Sequence, residues 1–105
     1  SDLDLIKKLQ KAYPWYGAYT IPANTYPGQT TDVLTSAIKI TVCTDARVDA
    51  DVVYDMTKTF WENFEELKAT QAPLKQVNPK EAVKDLAGLP LHEGAARYYK
   101  EIGLL

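Results

Sequence analysis

IPANTYPGQ, residues 21–29, decides how the rest of this chain is read. Pro22, Pro27 and Gly28 fall so close together that the stretch cannot be helix. It must therefore be a loop, and the chain on either side divides around it. Tyr26 and Gln29 give the loop two side chains with polar ends. Tyrosine offers an aromatic face and one hydroxyl, and glutamine offers both a donor and an acceptor. These two are the candidate ligand-binding residues. The alternative is that Tyr26 packs inward and Gln29 caps local backbone.

Upstream of the loop, residues 2–13 read as a helix, with Leu5, Ile6, Leu9, Ala12 and Tyr13 on one apolar stripe. Asp2 and Asp4 come early and Lys7, Lys8 and Lys11 late, which suits the helix dipole. Pro14 stops the helix by pushing Tyr13 out of the α region. Trp15, Tyr16 and Tyr19 follow, and residues 19–21 form a short extended segment. No lysine or arginine lies among these aromatics, so packing is favoured over stacking on nucleic acid.

Downstream, AIKITVCT at 37–44 reads as the one clear strand. Ile38, Ile40 and Val42 point to one face, and Lys39, Thr41 and Cys43 to the other. One strand makes no sheet, so its partners are expected from elsewhere. A long helix over 49–69 starts at the N-cap Asp49, with Val48 and Val53 placed as a hydrophobic staple. Val52, Val53, Met56, Phe60, Phe64 and Leu67 form its stripe, read as core. Asn78, Pro79 and Glu81 announce a further helix over 79–87, ended by Gly88. The last helix covers 92–102, with Gly103 as its stop and Leu104 folding back.

Composition narrows the function classes. The chain has 105 residues, 46% hydrophobic and 25% charged, with a net charge of −2 and a pI near 5.3. That balance fits a folded domain and disfavours nucleic acid as a partner. No apolar run approaches the roughly 20 residues that span a bilayer, and no basic segment followed by an apolar run reads as a signal peptide. Cys43 is the only cysteine and His92 the only histidine. Cys43 reads as a small buried hydrophobe, and His92 as a helix cap or surface contact. Neither offers the ligand count of a zinc site, so no metal, cofactor or catalytic residue is expected, and an enzyme is disfavoured. Of the two arginines, Arg97 is spaced for ion pairs with Glu93 and Glu101. Arg47, in the turn after the strand, is open to ligand or structural use.

Several of these stretches, in the same order, resemble one family. Residues 21–29 resemble the signature segment of the TAXI-type solute receptors of TRAP (tripartite ATP-independent periplasmic) transporters. The strand at 37–44, Val53-Tyr54 and Thr57-Lys58 resemble the segments that follow. Pro90-Leu91-His92, Gly94-Ala95-Ala96, Arg97-Tyr98-Tyr99 and Gly103-Leu104 resemble the family's ending. Asn24 stands where that pattern has glycine, a change asparagine tolerates because it accepts positive φ. The resemblance implies an α/β fold in which this chain is a fragment, the C-terminal third of a two-lobed periplasmic-binding protein. It is mostly helical, with strand 37–44 and the extended segment 19–21. It also implies a periplasmic or extracytoplasmic receptor. The receptor captures a small, commonly anionic organic solute and delivers it to TRAP membrane subunits, and the isolated chain would self-associate through exposed apolar surface. Two other classes stand beside it. One is an independent interaction domain that uses the aromatic loop 13–29 to hold a partner protein. The other is a small enzyme built on Cys43 or His92.

Overall fold

Asp2 and Asp4 occupy the first turn of α1 (Asp2–Ala12) and Lys11 the last, as the dipole favours. The Tyr13 N–H still donates to the Leu9 carbonyl at 2.8 Å, and Pro14 ends the ladder. The structure is a computed structural model and describes residues 2–105. It is a mixed α/β fold, mostly helical, with four α-helices and a two-stranded antiparallel sheet among the described residues.

The sheet is a hairpin. β1 (Tyr16–Ile21) pairs with β2 (Val33–Ile38) in a register running from Tyr16↔Ile38 to Ile21↔Val33. The extended segment expected at 19–21 lies inside β1. The strand expected at 37–44 is displaced: only Ala37 and Ile38 belong to β2. The register explains the displacement. Continued past Tyr16↔Ile38, it would set Pro14 opposite Ile40. Proline has no N–H to give the ladder, and Tyr13 is already bonded to α1. Pairing therefore stops at Ile38, and Ile40 and Val42 are left 96% and 94% exposed. Cys43 is exposed as well, which corrects its reading as a buried hydrophobe.

The long helix is two helices. α2 (Ala50–Glu62) and α3 (Phe64–Thr70) meet at Asn63, whose φ of −104° and ψ of 12° leave the helical range. The Asn63 side-chain amide donates to the Thr59 carbonyl at 2.8 Å, competing with the ladder for the same acceptor. At the other end, Asp49 caps α2 as expected, its carboxylate accepting from the Asp51 N–H at 2.8 Å. The helix expected at 79–87 starts where predicted: Asn78 Oδ1 accepts from the Lys80 N–H and Pro79 follows. It lasts only a single 3-10 turn, Pro79–Glu81. Asp85, Ala87 and Gly88 all adopt positive φ (55°, 57° and 78°), which no right-handed helix permits. α4 (Glu93–Glu101) closes with the Gly103 and Leu104 N–H groups donating to the Lys100 and Tyr99 carbonyls. That is the Schellman pattern, with Gly103 at φ 82°.

The chain divides into two compact units, Ser1–Thr41 with Asp85–Leu89, and Val42–Lys84 with Pro90–Leu105. In the first, α1 lies beside the hairpin and Gln10 Nε2 donates to Asp85 Oδ1 at 3.4 Å. Its one buried hydrophobic side chain among the described residues is Ile6. In the second, α2 packs on α4 and buries Val53, Phe64, Tyr98 and Tyr99. The apolar stripe of α2 is thus only partly core. Val52, Met56 and Phe60 stay 48%, 58% and 38% exposed, because one partner helix covers one edge of a wide stripe.

The α2–α4 contact is unusually close at Gly94. A Cβ there would lie 2.2 Å from the Ala50 carbonyl oxygen and 2.7 Å from the Tyr54 nitrogen. His92 fixes the same corner. Its Nδ1 accepts the Gly94 N–H at 3.1 Å, so the ring hydrogen sits on Nε2, which donates to the Val48 carbonyl at 2.9 Å. The cap role expected for His92 is what the structure shows, with a tie to Val48, just ahead of the α2 N-cap, added.

Candidate functional site

The loop between β1 and β2, residues 22–32, is built from two successive turns. The Thr25 N–H donates to the Pro22 carbonyl at 3.3 Å, and the Gln29 N–H to the Tyr26 carbonyl at 3.1 Å. Each turn has a positive φ at its third residue, 66° at Asn24 and 78° at Gly28. That is the type II requirement, met by asparagine in one turn and by Pro-Gly in the other. The Asn24 N–H donates to the Gln29 carbonyl at 2.8 Å, and Asp32 Oδ1 accepts from the Ala23 N–H at 2.8 Å. The loop is therefore closed across its base and along its length by its own backbone together with the Asp32 carboxylate.

Gln29 lies inside this closure. Its carboxamide nitrogen faces the carbonyls of Ile21, Pro22 and Thr31 at 3.3, 3.1 and 3.0 Å, and its Oε1 accepts from the Tyr26 N–H at 3.2 Å. Of the two roles considered for Gln29, the structure displays the backbone cap. Tyr26, by contrast, is 61% exposed and does not pack inward. Of the two candidate residues, only Tyr26 offers a side chain to the surroundings.

A second polar group joins α2 to α4. Arg97 Nη1 donates to Asp51 Oδ1 at 2.8 Å, and its guanidinium lies 4.1 Å from the centre of the Tyr54 ring. The Tyr54 hydroxyl donates to Glu101 Oε2 at 2.6 Å, and Lys58 Nζ stands 5.7 Å from the same ring. Arg97 therefore pairs across the helices with Asp51 and not along its own helix with Glu93 and Glu101. Guanidinium stacking on a tyrosine face favours the cross-helix choice. The hydrogen bond to Glu101, with burial and the Glu101 charge adding to it, holds the Tyr54 hydroxyl above the ordinary tyrosine range. A raised pKa means that the protonated form is favoured in the folded state. This contribution is thus complete below the unfolded tyrosine value and is lost as pH rises through the folded one. Burial and the charges of Glu62 and Glu101 hold Tyr98 above the ordinary range as well. Alkaline titration of the full-length protein, followed by phenolate absorbance, is therefore expected to show a late tyrosine class, Tyr54 with Tyr98, that Glu101→Gln moves earlier. If Glu101→Gln left the titration curve unchanged, Tyr54 would not be bonded as described.

Arg47 is committed elsewhere. Its Nε and Nη2 reach the two oxygens of Asp45 at 3.1 and 3.0 Å, and its N–H donates to Oδ1 at 2.8 Å. These bonds hold the Asp45 carboxyl below the usual carboxylate range. The pair is a local clamp at the surface, so the structural use of Arg47 is the one seen. Between α2, α3 and α4 there is also a shallow apolar concavity of about 220 Å³, lined by Trp61, Phe64, Tyr98, Tyr99, Ile102 and Leu104. Trp61 Nε1 donates to the Tyr99 hydroxyl on its wall at 2.9 Å.

The model of the NMT1-like family matches residues 2–103. This chain belongs to the NMT1-like family. It is a periplasmic-binding-like family, and the function that goes with it is solute binding in general. Among the described residues, no helix is long and apolar enough to cross a membrane.

Residue reasoning alone did not single out the Tyr54, Lys58, Arg97 and Glu101 assembly. A signal for it was present: Tyr54 and Lys58 are spaced i,i+4 on one helix, as are Arg97 and Glu101 on the other. Two such pairs form matching polar stripes.

Proposed function

We propose that this NMT1-like chain is the C-terminal part of an extracytoplasmic solute receptor of the TAXI type. In the full-length protein it would help to enclose a small organic solute, commonly anionic, and deliver it to the membrane subunits of a TRAP transporter in the periplasm or its equivalent. The role is one of capture and release, with no chemical step. The observation that carries this reading is the collinear resemblance from the loop at 21–29 to Gly103-Leu104, all of it but Leu104 within the span of the family match. The exposed phenol of Tyr26, on a loop closed by its own backbone, supports placing it at the solute.

The test uses the full-length receptor and acetate, pyruvate, succinate and glutamate as probes, with binding read by calorimetry. Tyr26→Ala is expected to weaken the best-bound acid by about 2 kcal/mol, roughly thirtyfold in Kd, as truncation of an aromatic anchor does. Unchanged affinity would remove Tyr26 from the site.

One observation favours the second reading, an interaction domain using the aromatic loop 13–29. Tyr13 and Trp15 are 48% and 44% exposed, with ring centres 5.4 Å apart. Sedimentation of the isolated chain separates the two. A compact monomer with a cooperative melt supports the interaction domain, and self-association supports the receptor fragment.

A further inference from the structure

Four hydrogen-bonding directions leave the Gln29 side chain, and all four end on backbone, three on the loop itself and one on Ile21 at the end of β1. A carboxamide has two N–H donors and one oxygen acceptor. Here the donors are divided among three carbonyls, and the oxygen is held by Tyr26. To reach a solute, Gln29 would have to release several of these groups at once. Gln29 and Tyr26 are also tied to each other in both senses. The Tyr26 N–H donates to Gln29 Oε1, and the Gln29 N–H donates to the Tyr26 carbonyl. That double tie frames the Tyr26-Pro27-Gly28-Gln29 turn and fixes the backbone from which the exposed phenol projects. Gln29 Nε2 further joins Ile21 and Pro22 at one foot of the loop to Thr31 at the other. One side chain thus links the tip of the loop to its base.

We infer that Gln29 is a positioning residue, which sets the place of Tyr26 and acts on solute recognition only through Tyr26. This rests on the receptor reading above. It divides two residues of similar promise into one that makes contact and one that holds the other in place.

The experiment has two arms, both on the full-length protein. The first is amide hydrogen exchange without solute. In Gln29→Ala, exchange is expected to quicken by about tenfold or more at Tyr26, its direct partner, and also at Asn24 and at residue 29, whose acceptors are backbone carbonyls. Tyr26→Ala is expected to leave the Asn24 and Gln29 amides as in the wild type. Wild-type exchange at Asn24 in Gln29→Ala would overturn the inference, since the loop would then keep its form without the side chain.

The second arm repeats the four-acid titration with Gln29→Ala, Tyr26→Ala and the double variant. If Gln29→Ala leaves the loop competent about a tenth of the time, affinity falls about tenfold. The double variant is then expected to bind no more weakly than Tyr26→Ala alone, because nothing is left to position. A further loss in the double variant would make Gln29 a solute contact and overturn the inference. Failure of the wild type to bind any of the four acids counts against the receptor reading, while the exchange arm still decides the part played by Gln29.

Discussion

Gly94→Ala is expected to unseat α4 from α2. Alanine favours helix over glycine by about 1 kcal/mol, so on propensity alone the change would stabilise. The geometry opposes it more strongly. The new methyl would sit 2.2 Å from the Ala50 carbonyl oxygen and 2.9 Å from Val53 Cβ. The nearest of these atoms is backbone and cannot swing aside. Overpacking a close contact costs about 1–3 kcal/mol where side chains can adjust, and more where they cannot. The helices must separate, and the His92 bonds to Val48 and Gly94 are strained with them. A thermal melt followed by circular dichroism should show a lower midpoint, with tryptophan emission shifting as Trp61 parts from Tyr99. A midpoint at or above the wild-type value would mean that the helices do not approach as closely as described.

Phe64→Ala is the second large effect. Phe64 is 3% exposed, and its ring centre lies 5.1 Å from that of Trp61 and 6.0 Å from that of Phe60. Truncating a buried phenylalanine costs about 3–5 kcal/mol. The second unit buries few large side chains with which to offset such a loss, so Phe64→Ala is expected to abolish its cooperative unfolding. Met56→Ala, at a site 58% exposed on the same stripe, is the contrasting substitution and should be nearly silent. Equal effects from the two would contradict the burial pattern.

That contrast marks where the sequence could be read and where it could not. The caps at Asp49, Asn78, His92 and Gly103 were legible because capping is local: a side chain or a left-handed residue meets backbone two to five positions away. The mostly helical content was legible from periodicity, and the α/β class from the family resemblance. The strand boundaries were not. Ile38, Ile40 and Val42 alternate like a strand, while Val33-Leu34-Thr35-Ser36 do not, yet the ladder runs through the latter. Register is a property of two strands, and Pro14, distant in sequence, ends it. The exposure of Met56 and Phe60 was hidden for a related reason, since a stripe shows what can be buried and not how wide its cover is. In the loop, Tyr26 and Gln29 could be chosen by type. Their division of labour depends on three carbonyls that converge only after Asn24 and Gly28 turn left-handed.

The tie from His92 to Val48 joins positions 44 apart, whereas the innermost hairpin pair, Ile21↔Val33, closes a far shorter segment. Closing the longer segment costs about 1 kcal/mol more in chain entropy, and the hairpin has its own turns to nucleate it. The consequence is an order in time. The hairpin forms first, on the order of microseconds, and α2 waits for α4. During that interval Val53, Phe64, Tyr98 and Tyr99 are all in water. This stretch of chain is therefore most vulnerable to sticking between the closing of its hairpin and the docking of α4 on α2.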